Sequence, residues 1–267
     1  MNYMKITSHS NPRIKEVLDI KRRKSRVKHG SFIIEGPHLI EMALGADTPV
    51  GEVFFSEAFG RKKEGQKILK LLAERTDNIF EVADHVFLKL AETETPQGII
   101  AVAACRPVSL QQLRLTGSPL LVVSDGIQDP GNLGTIIRTA DASGAGAVVI
   151  LPGTCDVFMQ KTIRATAGSL FNIPVVHALV DEFTDWLRSR KINLAITAAD
   201  AEHSLFEARL DRPVALVFGN EAHGVREELK RAADIVLRIP IYGKAESLNV
   251  ATAAAVSLYE AARQRSR

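Results

Sequence analysis

Cysteine is scarce in this 267-residue sequence, and the two cysteines that occur, Cys105 and Cys155, show neither CxxC spacing nor flanking histidine ligands. Disulfide frameworks and zinc sites need such spacing, so the pattern predicts two reduced thiols and no metal. Long apolar runs are also missing, since no stretch approaches the roughly 18 residues that cross a membrane. The first thirty residues lack the apolar core of a signal peptide, and we therefore expect a cytoplasmic protein that does not use a membrane.

The common signatures of nucleotide-binding and hydrolytic enzymes are missing too. The sequence has no GxxxxGK[ST] phosphate loop, no GxGxxG after the first strand of either half, and no GxSxG nucleophile elbow. Its seven histidines are scattered, without a pair at metal-binding spacing on one helix. These absences disfavour P-loop, dinucleotide-binding and metal-dependent chemistry.

Charge is abundant but uneven. Residues 1–30 carry nine lysines or arginines against two acidic residues, a net of +7, which leaves −4 for the remainder of a chain whose total is +3. A concentrated basic segment on a near-neutral body is typical of a protein that binds a polyanion. From charge alone, a solvated helix face or a flexible basic tail explains the segment equally well.

The first half of the chain has the periodicity of a small α/β domain. Residues 10–30 predict one basic helix that has Ser10 as its N-cap, tolerates Pro12 in its first turn and ends at Gly30. Four short strand-like segments follow, separated by helical pieces: residues 32–35, 52–56, 78–83 and 98–105. This alternation predicts an α/β domain over residues 1–107.

The second half predicts a larger α/β domain. After a connector over residues 108–119, the run LLVVSDG opens a domain over residues 120–267 and is typical of a strand buried on both faces. Five further runs of this type follow, mostly with helical patterns between them: residues 147–153, 173–179, 194–200, 213–220 and 235–241. The alternation predicts a parallel sheet.

Three polar loops follow buried strands of this second domain, at the edge where open α/β sheets usually bind ligands. The first places Asn132 six residues before Arg138, the second presents Glu221 in a glycine-flanked turn, and the third contains Ser247 and Asn249. Each loop also has an ordinary structural interpretation. The polar side chains then serve as helix caps, and the arginine forms a surface ion pair.

Taken together and in this order, the three loops resemble the SpoU (TrmH) family of RNA 2′-O-ribose methyltransferases. Asn132 and Arg138 match its first motif, an Asn and an Arg six residues apart in a DPGNLGTIIRTA context. Residues 217–224 match its second motif, a strand followed by GNE and a later glycine, with Ala222 in place of one common glycine. Residues 239–250 match its third motif, IPM-like residues followed by SLNV.

The first half is similar to the ribosomal-protein-like substrate-binding domain that is often fused to these enzymes. The matching segments are FIIEG, EVFFS and TETPQGIIAV. This likeness assigns the basic helix to RNA contact. The candidate RNA-binding residues are the cations of that helix: Arg13, Lys21, Arg22, Arg23, Lys24 and Arg26.

The resemblance implies a trefoil knot in the second domain, a homodimer, and S-adenosylmethionine as cofactor. A knot departs from the general rule that protein chains do not thread through themselves. The residues that would hold the cofactor are Gly219, Ile239, Leu248 and Asn249. Four alanines of the last helix, Ala251, Ala253, Ala254 and Ala255, suit close packing in the dimer, although packing within one chain explains them as well.

Methyl transfer to a ribose requires that the 2′-oxygen be aligned with the methyl group and its sulfur. It also requires a group that helps to remove the hydroxyl proton, because a ribose 2′-hydroxyl is a poor nucleophile. The resemblance implies that Arg138 accepts this proton. A guanidinium is effectively always protonated, so gripping the target phosphate or stabilising alkoxide charge suits Arg138 equally well. The remaining catalytic candidates would orient the ribose and Arg138, and they are Asn132, Glu221, Ser247 and Asn249.

Three alternatives stay open at this point. A knotted methyltransferase that modifies a base is disfavoured, because base-modifying relatives lack the Asn132 and Arg138 pair. A non-catalytic RNA-binding or ribosome-assembly factor with the same fold is disfavoured, because polar residues stand at all three motifs. A transfer RNA 2′-O-methyltransferase is the third alternative, but the appended domain favours ribosomal RNA and its processing.

Overall fold

The computed structural model describes residues 3–266 of the chain. Met1, Asn2 and Arg267 fall within the predicted domain bounds but lie outside the described residues. The chain separates into two compact units, the first formed by Met1–Arg106 with Phe158–Arg164 and the second by Pro107–Val157 with Ala165–Arg267. The first unit thus takes a short segment from the middle of the second half of the chain.

The first unit is built on a mixed five-stranded sheet. Its elements along the chain are β1 (Met4–Ile6), α1 (Pro12–Ile20), α2 (Arg23–His29), β2 (Ser31–Glu35), α3 (Pro37–Gly45), β3 (Val50–Ser56), α4 (Glu57–Arg61), α5 (Lys63–Ala73), β4 (Ile79–Val82), α6 (Asp84–Leu90) and β5 (Ile99–Ala104). The strand order is β1-β4-β3-β5-β2, and β5 runs antiparallel to both of its neighbours. The four predicted strands correspond to β2 to β5, while β1 was not predicted.

The basic segment forms two helices, so the prediction of one helix over residues 10–30 is wrong. The chain turns between α1 and α2, where the Arg26 side chain donates hydrogen bonds to the carbonyls of Ile20 and Lys21. These carbonyls are among the last of α1 and have no acceptor role within the helix. The predicted N-cap, Ser10, is also wrong, because the Asn11 side chain accepts from the backbone at the start of α1.

The second unit is built on a seven-stranded parallel sheet. The elements from β6 onward are β6 (Leu120–Asp125), α7 (Pro130–Ala142), β7 (Ala147–Ile150), α8 (Gln160–Thr166), β8 (Val175–His177), α9 (Val180–Arg190), β9 (Asn193–Thr197), β10 (His203–Ser204), β11 (Val214–Gly219), α10 (Glu227–Ala232), β12 (Ile235–Arg238) and α11 (Val250–Arg265). Most of α8 lies in the segment that belongs to the first unit. The strand order is β10-β12-β9-β11-β6-β7-β8. The predicted α/β class with a parallel sheet in the second domain is confirmed.

The central strands are apolar throughout because helices cover both faces of the sheet. In β6, Leu120 and Val122 face a core that α7 and α11 complete, while Leu121 and Val123 face a second core completed by α9 and α10. All four side chains are buried, and each such side chain stabilises the fold by roughly 1.5–3 kcal/mol relative to exposure. Burial on both faces is the physical reason for the continuous apolar run.

The segment interpreted as a connector, residues 108–119, is folded onto the second unit. It contains a 3-10 turn over Leu110–Gln112, and both Leu110 and Leu113 are buried in the core on the α9 side of the sheet. In α11, Ala251 and Ala254 are buried in the other core, so these two alanines pack within their own chain.

The strand order positions the functional loops. From β6 the chain continues outward through β7 and β8 on one side, and then crosses to β9 on the other side. In such sheets, ligands bind outside the carboxyl ends of the strands at the point where the order reverses. Here that point lies between β6 and β11, which are adjacent and parallel.

Residues 3–266 offer neither a candidate membrane-spanning helix nor a candidate metal-binding cluster. None of the helices there combines the length and the apolar character needed to cross a membrane. Nor do three or more histidine, cysteine or acidic side chains of this part of the chain gather in a way that would hold a metal ion.

Candidate functional site

The second and third polar loops line one cavity of about 360 Å³, at the carboxyl ends of the central strands. The four residues that we predict to contact the cofactor all line it: Gly219, Ile239, Leu248 and Asn249. Two candidates from the catalytic set, Glu221 and Ser247, also lie in its wall. The cavity therefore brings together the second and third motifs.

The turn after β11 depends on glycine at Gly219. A Cβ atom at this position would stand 2.3 Å from the backbone carbon of Gly224, which no side chain tolerates. The close approach lets Asn220 and Gly224 exchange two backbone hydrogen bonds of 2.9 Å, with Gly224 at a φ of +68°. Ala222 replaces a common motif glycine without strain, because its φ is not positive. Its N–H donates to the Asn220 side chain at 2.9 Å.

Glu221 joins this turn to the loop after β6. Its carboxylate accepts the backbone N–H of Gln128 at 3.0 Å, the backbone N–H of Asp129 at 3.1 Å and the Asn132 amide at 3.0 Å. Partial burial acts to raise the pKa of Glu221, but these hydrogen bonds outweigh it and hold the pKa below its usual value. Glu221 does not cap the following helix, as the alternative interpretation proposed, because α10 begins after Arg226.

Asn132 carries this connection on to the third motif. Its side-chain oxygen accepts from the Asn249 amide at 3.1 Å, while Asn249 uses its own oxygen to cap α11 through the N–H of Ala251 at 2.9 Å. The helix-cap interpretation of Asn132 is wrong, because Asp129 caps α7. Glu221, Asn132 and Asn249 thus form a chain of hydrogen bonds across all three motifs, and we call these three side chains the motif chain.

Arg138 lies apart from the cavity. It sits on the solvent-exposed side of α7 and is not one of the residues that line the cavity. Within residues 3–266, no hydrogen bond or ion pair holds its side chain. The structure therefore does not place the first-motif arginine at the site of its own chain.

The sequence did not point to a buried ion pair beside this site. Asp125 ends β6 and is 2% exposed, and its carboxylate accepts the Arg226 backbone N–H at 2.9 Å and the Arg226 Nε at 2.5 Å. The Arg226 Nη2 also donates to the carbonyl of Pro152, after β7. A carboxylate at the end of a strand that opens with four apolar residues was the available signal, because a buried charge needs a partner.

Three of the six candidate RNA-binding residues have structural partners in the first unit. Arg13 pairs with Glu52, and Arg26 is buried on the carbonyls at the end of α1. Lys21 donates to two carbonyls at the end of α6, each at 3.3 Å, and burial lowers the pKa of its ammonium group.

The other three candidates face solvent. Arg22, Arg23 and Lys24 are exposed at the start of α2, and we call them the α2 cations. The Arg22 side chain is 81% exposed, with the Asp19 carboxylate 3.7 Å away. An ion pair this exposed contributes little to stability, so these cations are available to a polyanion.

Two family models match the sequence. Residues 119–259 match the SpoU rRNA Methylase family, and residues 11–101 match the MRM3-like substrate binding domain. Both matches agree with the order of motifs along the chain.

Named proteins and solved structures match over nearly the whole chain. The chain is 37% identical over 254 residues to the 23S rRNA (guanosine(2553)-2'-O)-methyltransferase RlmP of Bacillus subtilis (strain 168), covering 95% of this chain and 97% of that protein. It is 32% identical over 250 residues to the 23S rRNA (uridine(2479)-2'-O)-methyltransferase of Streptomyces viridochromogenes, covering 91% and 86%. The AdoMet-bound rRNA methyltransferase from Sinorhizobium meliloti superposes with a TM-score of 0.89 at 31% identity, covering 98% of each chain.

Proposed function

This chain belongs to the SpoU rRNA methylase family, and we propose that it methylates a ribose 2′-hydroxyl of 23S ribosomal RNA. It is an S-adenosylmethionine-dependent RNA 2′-O-methyltransferase. The observation that carries the choice of substrate is the whole-length likeness to enzymes named for 23S ribosomal RNA, in which the first unit is included. A ribosomal substrate supports the further proposal that the enzyme acts in the cytoplasm.

The cavity suits S-adenosylmethionine in size and in chemistry. Its volume of about 360 Å³ lies within the range of small-molecule sites, which is about 300–1,000 Å³. Ile239 and Leu248 offer apolar surface for a purine, while the backbone at Gly219 and the side chain of Asn249 offer polar groups. When bound, the cofactor supplies a methyl group on a positively charged sulfur. The knot that the resemblance implies involves the loops that carry these residues.

The motif chain holds the site in shape. A glutamate is already ionised at neutral pH, and the lowered pKa of Glu221 strengthens this preference, so its carboxylate accepts hydrogen bonds and has no proton to give. It fixes the loop after β6, and Asn132 passes this constraint to Asn249 in the cavity wall. We assign Asn249 and Ser247 to orienting the acceptor ribose.

Arg138 does not line the cavity of its own chain. We propose that it acts in the active site of a second copy of the chain. The enzyme is then a homodimer whose interface includes the last helix, α11, around the exposed Tyr259, and the exposed side of α7. Its guanidinium would grip the target phosphate, stabilise the developing alkoxide, or accept the proton of the hydroxyl. In the first unit, the α2 cations would hold the RNA.

Methylation of 23S ribosomal RNA from a strain that lacks the gene tests the proposal. We expect labelled methyl groups from S-adenosylmethionine to enter the RNA and to remain on a 2′-O-methylated nucleoside after nuclease digestion. Asn249→Ala should lose the incorporation. A label on a base, incorporation into transfer RNA alone, or calorimetry without cofactor binding would each overturn it in favour of one of the three alternatives.

A further inference from the structure

The ion pair of the buried Asp125 and the partly exposed Arg226 lies directly behind the turn that carries Glu221. Asp125 is level with Gly219 in the parallel register of β6 and β11, so it stands where the turn begins. Arg226 stands where the turn ends, at the start of α10. The two residues therefore close the base of the turn across the end of the sheet.

Polar contacts hold this turn. Residues 221–224 are exposed, so core packing does not fix them. The backbone bonds between Asn220 and Gly224 define the shape of the turn, but they do not set its place relative to the loop after β6. Besides the Glu221 bonds and the buried Val225, its place is set by the Asn220 amide, which donates to the Gly126 carbonyl at 2.8 Å, and by the Arg226 bonds to Asp125.

Arginine is the side chain that this position requires. The backbone N–H and the Nε of Arg226 take one carboxylate oxygen each, and Nη2 reaches the Pro152 carbonyl in a third direction. A lysine has a single ammonium and cannot reproduce two side-chain bonds with fixed directions. Arg226 thus ties together the ends of β6 and β7 and the start of α10.

We propose that Asp125 and Arg226 are positioning residues for methyl transfer, acting through Glu221. The pair holds the Glu221 carboxylate against the N–H groups of Gln128 and Asp129, and thereby sets Asn132 and Asn249. This inference rests on the proposed function, in which methyl transfer is the reaction that the pair supports. A misplacement of about 1 Å costs on the order of a hundredfold in rate, so the pair matters to catalysis beyond its own stability.

Arg226→Ala should lower kcat by about ten- to a hundredfold at saturating cofactor and RNA. Arg226→Lys should recover part of that loss, because it restores a cation beside Asp125. The matched control is Arg265→Ala in the same unit. Arg265 is half-buried and donates to the carbonyls of Leu210 and Arg212, before β11 and thus at the opposite end of the strands. The Arg265→Ala variant should have its melting temperature lowered about as much as Arg226→Ala and should keep its kcat.

Amide hydrogen exchange tests the geometry without any RNA. In Arg226→Ala, the amides of Gln128 and Asp129 should lose protection, whereas they should keep it in Arg265→Ala. Unchanged protection in Arg226→Ala would overturn the positioning role even if methyl transfer is confirmed. If the Gln128 and Asp129 amides lose protection in Arg226→Ala but the unaltered protein transfers no methyl group, the positioning role stands and the proposed function is wrong.

The double variant with Glu221→Ala tests the route. If Arg226 acts through Glu221, its loss should cost little more in a chain that already lacks the carboxylate, so the two effects on kcat should not multiply. Multiplied effects, or a kcat of Arg226→Ala within about twofold of the Arg265→Ala control, would overturn the proposal.

Discussion

At the scale of single residues, Glu221 is constrained by its partners. Three N–H groups donate to its carboxylate, and together they lower its pKa despite partial burial. A carboxylate in that state accepts hydrogen bonds and does not act as a general acid at neutral pH. Its charge also acts on its neighbours, and Cys155 offers a way to measure it.

Cys155 should label slowly and should report on Glu221. Burial, followed by the charges of Glu221 and Asp129, raises the pKa of the Cys155 thiol to about 11. At pH 8 only about one thiol in a thousand is then ionised, and the thiolate is the species that reacts. In a Cys105→Ser background, Glu221→Gln should lower this pKa and raise the iodoacetamide rate at pH 8 by roughly two- to tenfold, since one pKa unit is tenfold in thiolate.

The control for this experiment is Glu207→Gln, which removes an exposed carboxylate of the same unit that does not act on Cys155. Its labelling rate should equal that of the parent chain. If Glu221→Gln labels no faster than this control, the charge of Glu221 does not raise the pKa of the Cys155 thiol. The prediction that the two groups interact would then be wrong.

Arg138→Ala should abolish methyl transfer while S-adenosylmethionine still binds within several-fold of its original affinity. The reason is that Arg138 lies outside the cofactor cavity of its chain, so its loss should damage chemistry and leave the pocket intact. Arg138→Lys distinguishes the roles, because lysine keeps the charge but loses the forked donor geometry. Partial activity indicates electrostatic help, and near-complete loss indicates bidentate gripping of phosphate.

Single-turnover rates with labelled cofactor provide the measurement. Arg188→Ala is the matched control, since Arg188 is another exposed helical arginine of the second unit, and it should keep its rate. Near-normal turnover by Arg138→Ala would remove this residue from the reaction altogether.

At the scale of elements, the sequence predicted most strands but not the break in the basic helix. Continuous apolar runs mark β6 and β11 well, because both faces of those strands are covered. Neither proline nor glycine marks the turn between α1 and α2. It is stabilised by Arg26, whose guanidinium reaches back five and six residues to the carbonyls of Lys21 and Ile20. A side chain that bonds backwards in this way leaves no periodic signal.

The candidate site was predictable to the extent that motif residues share loops. The meeting of Gly219, Ile239, Leu248 and Asn249 around one cavity followed from strand ends that converge on one edge of the sheet. Which side chain caps which helix did not follow, because Asp129 and Asn132 are both good caps in the same turn. The contribution of Asp125 was hidden inside an apolar run, and only its partner Arg226 reveals it.

The α2 cations should contribute RNA affinity and leave cofactor binding unchanged. Replacing Arg22, Arg23 and Lys24 with alanine should weaken RNA binding and flatten its salt dependence. The slope of log binding constant against log salt concentration should fall by up to about 0.9 per lost phosphate contact on duplex-like RNA, and by about 0.7 on single strands. These residues are chosen because they are exposed, whereas Lys21 and Arg26 serve the fold.

The matched control replaces three exposed lysines elsewhere in the same unit, Lys62, Lys63 and Lys67, and removes the same charge. Filter binding at several salt concentrations gives both slopes. An equal loss of RNA affinity in the two triple variants would mean that only net charge matters. An unchanged salt dependence of RNA binding in the α2 triple variant would exclude that helix as a phosphate-binding surface.

At the scale of the whole molecule, the proposed active site calls for a residue that one chain does not bring to its own cavity. The second and third motifs share a cavity, and Asn132 of the first motif joins them, but Arg138 of the first motif faces solvent on α7. The proposed twofold dimer would supply Arg138 to both sites at once, because its interface would be the same surface on each copy. Exposed Tyr259, on the last helix beside α7, adds apolar surface for that contact.

Subunit mixing tests whether Arg138 acts in the site of the other copy. Sedimentation equilibrium should first give about twice the chain mass of 29.1 kDa. Arg138→Ala and Asn249→Ala chains should each be inactive alone, but they should complement each other when unfolded and refolded together. In a random mixture, half of the dimers are mixed, and one of the two sites in each has an intact cavity and an intact arginine. We therefore expect about a quarter of the activity of the unaltered enzyme. If Arg138 served its own chain, every site of a mixed dimer would carry a defect. The mixture would then stay inactive and the shared site would be refuted, as it would be by a fully active monomer.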